Sequence, residues 1–324
     1  MNTSWITYAK LLEKELSSIE LNSSPKELYD PIKYILNLGG KRIRPALCLM
    51  SAELFGGDIK EALYGAISIE VFHNFTLVHD DIMDEAPMRR GQATVHEKWN
   101  RDIAILSGDV MFVKAYEFLA KLDQKHMPAA LKLFNQTAIQ VCEGQQMDMN
   151  FETTKAVALS EYIKMIELKT AVLLACSLKL GALIANASEQ DASLIYQFGR
   201  NLGIAFQIQD DLLDAYGDPD KFGKRVGGDI ISHKKTYLLL TALEKANNQQ
   251  KLDLNLSLSA SFTEEQKVTK TLAIYNELNI PELTKAAMQS YFNEAMESLS
   301  KISAEKELKK PLIDIAEMLM SRVK

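Results

Sequence analysis

Leu77-Val78-His79-Asp80-Asp81-Ile82-Met83-Asp84 and, further along, Ile208-Gln209-Asp210-Asp211-Leu212-Leu213-Asp214 carry one pattern, Asp-Asp-x-x-Asp with two apolar residues inside it. Each copy closes a long apolar run of helical character; the first runs back through Phe75, Phe72, Val71, Ile69 and Ile67. On a helix, Asp80 and Asp84 stand one turn apart on a shared face, with Asp81 rotated to the side, and Asp210, Asp211 and Asp214 repeat the arrangement. Like charges at that spacing weaken a bare helix, so a positive partner belongs between the carboxylates. Solvated acidic helix ends would account for one such motif. Two copies, each at the end of a buried-looking helix, favour ligation. Hard divalent cations prefer carboxylate oxygens, and Mg2+ takes one or two of them with waters and substrate phosphates. The reading is two facing acidic helices that hold Mg2+ and, through it, a diphosphate.

Composition sets the frame around these motifs. With 324 residues, 47% hydrophobic and 25% charged, the chain has the makings of an ordinary folded protein with a large core. A net charge of -6 disfavours non-specific nucleic-acid binding. Cys48, Cys142 and Cys176 are odd in number, far apart and set in apolar surroundings, so buried free thiols in a reducing compartment are expected rather than disulfides or a metal site. Met1 to Ser18 lacks the basic start and apolar block of a secretory signal. The most membrane-like stretch, Thr170 to Ala187, contains Ser177, Lys179 and Gly181 and barely reaches spanning length, so a buried core or subunit-interface helix is expected there. The expected location is cytoplasmic, with no transmembrane segment.

Taken in order, the chain reads as helices. Tyr8 to Ile19 and Pro25 to Leu38 are amphipathic, the second with Ser24 as N-cap and Pro25 at the first position. Gly39-Gly40 ends it, Lys41-Arg42-Ile43-Arg44-Pro45 follows, and Ala46 to Leu54 is helical up to Gly56-Gly57. Asp58 caps the helix that leads into the first acidic motif; it is apolar nearly all round and therefore central. Pro87 ends it, and Met88-Arg89-Arg90-Gly91 is a basic loop. Helices are predicted over His96–Leu122, Pro128–Asn150, Ser160–Ala185 and Ser188–Ala215, uninterrupted because no proline falls between Pro128 and Pro219. The loop Gly217–Asp229 holds Lys221, Lys224 and Arg225, and three or four further amphipathic helices finish the chain. No alternating run demands a sheet, and no linker divides the sequence. The expectation is one all-α domain over residues 1–324.

Basic residues alternate with the acidic motifs. Lys41, Arg42 and Arg44 follow a double glycine, where backbone amides and cations meet an anion. Arg89 and Arg90 lie just past Asp84, Lys169-Thr170 interrupts an apolar helix, and Lys224, Lys234 and Lys235 follow the second acidic motif. Singly these are ordinary surface charges. Together they supply what two phosphorylated substrates and a bridging metal require. The five histidines show no zinc-ligand spacing, and neither a P-loop nor a nucleophile-elbow motif is present.

At this point the sequence resembles the trans-prenyl diphosphate synthases, the polyprenyl synthetase family. The matching residues are Gly39-Gly40-Lys41-Arg42-Ile43-Arg44-Pro45, His73 through Asp84, Arg89-Arg90-Gly91, Lys169-Thr170, Phe206-Gln207-x-x-Asp210-Asp211-x-x-Asp214, and Gly227-Gly228-Asp229-Ile230 with Lys234. They agree in order and spacing over roughly residues 25–237. The resemblance implies an isoprenoid-synthase fold of long helices around a central cavity, a homodimer, and Mg2+. It implies condensation of isopentenyl diphosphate with an allylic diphosphate (dimethylallyl, geranyl or farnesyl). Carried over residue by residue, Asp80, Asp84 and Asp210 bind Mg2+, with Asp81 and Asp214 in support. Arg89, Lys169, Lys224 and Lys234 hold the allylic diphosphate, and Lys41, Arg44, His73 and Arg90 hold isopentenyl diphosphate. Thr170 and Gln207 flank the developing allylic cation. The loop over Asp218 to Gly228 is expected to order over bound diphosphates.

Product length is read at Phe75 and Thr76, five and four residues before Asp80. An aromatic followed by a small residue resembles the short-chain members that make geranylgeranyl diphosphate. Farnesyl diphosphate is the alternative product, although eukaryotic-type farnesyl synthases often carry aromatics at both positions. A terpene cyclase would not need the second acidic motif or the Gly-Gly-Lys-Arg cluster, and a non-catalytic synthase subunit typically loses one acidic motif; both are intact here.

Overall fold

Apolar on nearly every side, the helix carrying the first acidic motif has to be surrounded to be stable. That helix, α4 (Ile59–Met83), begins at Asp58, whose carboxylate accepts a hydrogen bond from Lys60 N at 2.8 Å, so the expected N-cap is in place. Ile67, Ile69, Val71, Phe72 and Val78 are buried along it. The structure is a computed structural model and describes residues 5–21, 24–217, 226–259 and 261–321.

The chain divides into two compact units: Met1–Asn135 with Cys176–Tyr196 and Ile302–Leu312, and Gln136–Ala175 with Gln197–Lys301 and Ile313–Lys324. In the first unit, α1 (Trp5–Ser17) packs on α3 (Ile43–Leu54), α3 packs on α4, and α4 lies along α6 (Arg101–Leu119). The α4/α6 contact is close because Gly108 has no side chain: a Cβ there would collide with the His79 ring. α2 (Lys26–Asn37) also packs on α6. Leu47, Ile69, Phe72, Met111 and Phe134 are fully buried at the centre of this unit.

The second unit contains most of α7 (Met127–Thr153), α8 (Leu159–Ile166), most of α10 (Glu189–Tyr216), α11 (Gly228–Ile231), α12 (Tyr237–Lys245), α13 (Asn248–Ser257), α14 (Glu264–Glu277) and α15 (Ile280–Ser300). α9 (Val172–Ile184) and α16 (Lys306–Met320) each contribute to both units. One apolar cluster of the second unit joins Leu212, Ile230, Leu238, Leu239 and Tyr275; another joins Phe151, Tyr162, Ile166, Ile204 and Ile208. Thus the helix bearing the second acidic motif is held from both sides by apolar side chains. No helix among the described residues is long and apolar enough to cross a membrane.

Several boundaries differ from the sequence reading. Pro25 is itself the N-cap of α2, and α3 starts at Ile43, three residues early, because Pro45 sits within its first turn, where a missing N–H costs nothing. The helix expected over 96–122 is broken: a short α5 (Val95–Lys98) ends at Trp99, and Asn100 restarts the chain as N-cap of α6, accepting from Ile103 N at 2.8 Å. Residues 88–93 form a small hairpin, Met88–Arg89 paired antiparallel with Gln92–Ala93. Its turn residues, Arg90 and Gly91, have φ of 53° and 75°, the two left-handed positions of a tight hairpin turn. The helix expected over 160–185 contains a π-helical turn at Glu167–Ala171 between α8 and α9. Five helices, not three or four, follow α11 among the described residues.

Candidate active site

In the first unit the acidic motif occupies the last turn of α4, with Asp84 as its C-cap. Asp80 is half-buried and Asp84 exposed. Asp81 is turned inward, 1% exposed, and takes Arg89 in a forked pair: Nε lies 2.8 Å and 3.0 Å from its two oxygens and Nη2 2.7 Å from Oδ1. Such bidentate pairs fix geometry as well as charge. Asp81 therefore anchors the hairpin to α4, and the motif presents two carboxylates one turn apart.

The basic residues of this unit gather around the turn between α2 and α3. Arg44 Nη1 lies 3.3 Å from His73 Nε2. A guanidinium only donates, so Nε2 accepts and the imidazole proton sits on Nδ1. Burial, reinforced by Arg44, Arg90, Arg89 and Arg42, pushes the His73 pKa well below the usual histidine range, so this ring stays neutral. Arg90 donates to the Gly39 carbonyl across the same turn. Lys41 is exposed beside them. Arg44, His73 and Arg90 are thus drawn together from α3, α4 and the hairpin, and Lys41 follows in sequence the turn that Arg90 reaches.

Five residues before Asp80, Phe75 stacks on Phe112 of α6, ring centroids 5.0 Å apart and planes 16° from parallel. Phe72, Tyr116 and Phe134 extend the aromatic group. Thr76 donates its hydroxyl to the His73 carbonyl at 2.7 Å, so that polar group is spent within the helix. Nothing in the sequence marks Phe112, and its neighbour Met111 is wholly buried in the core.

In the second unit α10 carries the other motif. Asp211 is the inward residue here. It accepts from the Tyr162 hydroxyl and from Tyr237 N at 2.9 Å, and burial pushes its pKa up to about 7 despite those hydrogen bonds. Asp214 accepts from Asp229 N at 2.9 Å and so starts α11. Asp210 is half-buried. Just before it, the buried Gln209 donates to the Met320 carbonyl at 2.8 Å, tying the end of α16 to the motif.

Lys169 and Thr170 sit in the π-helical turn. Lys169 Nζ lies 2.5 Å from Asp148 on α7, and Thr170 Oγ1 donates to Gln207 Oε1 at 3.2 Å. Two glycines grip this turn: a Cβ at Gly144 would strike the Lys169 backbone, and one at Gly203 would meet Ala171 Cα at 2.6 Å. Single-turn π bulges inside helices recur at functional sites. Lys234 is exposed just beyond α11. Lys224 lies outside the described residues.

No group of three or more His, Cys, Asp or Glu converges on a metal position among the described residues. The first motif sets Asp80 and Asp84 one turn apart with Asp81 committed to Arg89, whereas in the second both Asp211 and Asp214 accept hydrogen bonds from the protein beside Asp210. That donor set fits Mg2+, which completes its shell with waters and phosphate oxygens. Asp148 and Tyr162 were not singled out in the sequence; only their partners carried a motif. Glu70 was also missed, although an acid inside the apolar run Ile69-Glu70-Val71 was a visible signal.

An all-α chain with these sites has the isoprenoid-synthase fold, and solved structures agree. A crystal structure of geranylgeranyl pyrophosphate synthase superposes with a TM-score of 0.93 at 45% identity, with both chains covered in full. The geranylgeranyl pyrophosphate synthetase of Pyrococcus horikoshii gives 0.91 at 33% identity, covering 97% of this chain and 96% of that one. In sequence, the geranylgeranyl diphosphate synthase of Methanosarcina mazei is 38% identical over 302 residues, covering 92% of this chain and 90% of the relative. The polyprenyl synthetase family model matches residues 25–275, and the chain belongs to that family.

Proposed function

We propose that the chain is a Mg2+-dependent trans-prenyltransferase that joins isopentenyl diphosphate head-to-tail to dimethylallyl, geranyl and farnesyl diphosphates, releasing diphosphate, with geranylgeranyl diphosphate as product. The carrying observation is the pairing of Arg44 with a neutral His73 beside Lys41 and Arg90, a built anion cradle separate in sequence from both acidic motifs. A single-substrate cyclase has no use for it. The names of the relatives, at 37–38% identity over most of the chain, support the same class.

In this reading Asp80, Asp84 and Asp210 hold Mg2+, and Asp81 and Asp214 support them by fixing Arg89 and α11. The metal would supply charge neutralisation at the departing diphosphate. Arg89, Lys169, Lys224 and Lys234 bind that diphosphate and stabilise its charge as the carbon–oxygen bond breaks. Thr170 and Gln207, hydrogen-bonded to one another, would lie beside the developing allylic cation. Lys41, Arg44, His73 and Arg90 orient isopentenyl diphosphate so that its double bond attacks. The departing diphosphate takes the proton.

We also propose a homodimer, supported by Leu106 and Val113, apolar residues 57% and 61% exposed along α6. A cytoplasmic location suits its free cysteines, of which Cys48 and Cys176 are buried as expected while Cys142 is exposed. Diphosphate release from isopentenyl plus farnesyl diphosphate, with and without EDTA, tests the class, and chromatography of the dephosphorylated product tests its length. No release from this substrate pair would overturn the reading.

A further inference from the structure

Three basic residues follow the double glycine, and the middle one faces the opposite way. Arg42 is buried while Lys41 is exposed and Arg44 reaches His73. Arg42 has φ of 49° and is the N-cap of α3, so its left-handed backbone sends the side chain inward. There Nη1 lies 2.5 Å from Glu70 Oε1 and Nη2 2.5 Å from the Leu36 carbonyl, with both charged side chains 3% exposed. Glu70 is held in turn by Asn74, whose amide donates to Oε1 at 3.0 Å and to the Glu70 carbonyl at 2.8 Å. One guanidinium therefore ties the end of α2, the start of α3 and the middle of α4 together.

The segment so pinned is the anion cradle. Gly39 and Gly40 have φ of 76° and 140°, conformations that glycine adopts without steric cost. Arg90 donates to the Gly39 carbonyl, and a Cβ on Gly40 would stand 3.0 Å from the Arg90 guanidinium.

We infer that Glu70 is a positioning residue for the isopentenyl diphosphate site, acting through Arg42 to set where Lys41, Arg44 and Arg90 present their charges. This inference rests on the site reading given above. It also makes a prediction opposite in sign to simple charge balance. Removing a buried acid makes the basic cluster more positive, which by itself would strengthen the hold on an anion. A positioning role demands the reverse.

The test is steady-state kinetics with one substrate varied while the other saturates. Glu70→Gln, which keeps shape but loses charge, and Arg42→Lys, which keeps charge but loses the fork, are each expected to raise KM for isopentenyl diphosphate about tenfold. kcat and the allylic KM should stay within about twofold. The double variant should be no worse than the worse single one, because the two residues act as a unit. Circular dichroism melts confirm folding, and Arg42→Lys serves if Glu70→Gln does not fold. Arg44→Ala is the control. If it raises the isopentenyl diphosphate KM while the Glu70 and Arg42 variants leave that KM unchanged, lower it, or raise both KM values alike, the positioning role is overturned and the site reading stands. If Arg44→Ala does not raise it, the site reading falls, and the inference with it.

Discussion

Replacing Phe75 by alanine should lengthen the product by one isoprene unit. Phe75 lies five residues before Asp80, about 7.5 Å along the helix axis, and the next ring back on the same stripe is Phe72, eight residues before, about 12 Å. Deleting the first ring opens about 4.5 Å of path. An isoprene unit adds four carbon–carbon bonds of about 1.5 Å, which zigzag over roughly 5 Å. The numbers match one unit and not two. The variant should remain folded, because Phe75 is only half-buried. Losing its stacked partner on Phe112 costs about 0.5–1.5 kcal/mol beyond packing, well inside a stability of about 5–15 kcal/mol. Phe112→Ala should lengthen the product too, since that ring lies parallel to Phe75 at 5.0 Å. Phe72→Ala should not; that ring is fully buried, and its loss should appear as about 3–5 kcal/mol of destabilisation with the product unchanged. The assay uses labelled isopentenyl diphosphate, phosphatase treatment and reverse-phase chromatography. An active Phe75→Ala enzyme with an unaltered product profile would refute the reasoning, and lengthening by Phe72→Ala alone would place the end of the path one turn deeper.

Asp80→Ala and Asp210→Ala should nearly abolish turnover while leaving the melting curve intact; retention of more than about a tenth of kcat, a loss under about 1.4 kcal/mol, would argue against metal ligation. Arg44→Ala should raise the isopentenyl diphosphate KM selectively and Lys224→Ala the allylic KM; a shift of the same KM in both would dissolve the two-site assignment. Gly144→Ala should lower kcat more than either KM, because its Cβ displaces the Lys169 backbone and with it the Thr170–Gln207 pair; wild-type kcat in a folded variant would show that the π-helical turn is not needed for chemistry.

How much of this was legible without coordinates differs from residue to residue, for physical reasons. The helices were readable because apolar periodicity extends over many turns and Asp58 is a strong start signal. The π-helical turn was not, because nothing in Glu167-Leu168-Lys169-Thr170-Ala171 departs from ordinary helix formers; its surroundings are tertiary, Gly144 and Gly203 each leaving room for its backbone. The acidic motifs were legible as motifs, yet the division of labour within each was hidden. Asp80 with Asp84 and Asp210 with Asp214 share helix faces by spacing alone, whereas the partners of Asp81 and Asp211, namely Arg89, Tyr162 and Tyr237, come from elsewhere in the chain.

The same logic separates the basic residues. Lys41, Arg42 and Arg44 are alike in composition, and only the left-handed backbone at Arg42 sends one of them into the core. The charge a ligand meets at this turn therefore depends on a conformation that two glycines permit and a buried acid holds. Glu70 is expensive to bury unless its partner is fixed, and Arg42 likewise; each satisfies the other only when α2, α3 and α4 are in register. Formation of the proposed anion cradle is thus coupled to completion of the fold around it, and a change at Glu70 that leaves the helices in place is expected to register in substrate affinity before it registers in turnover.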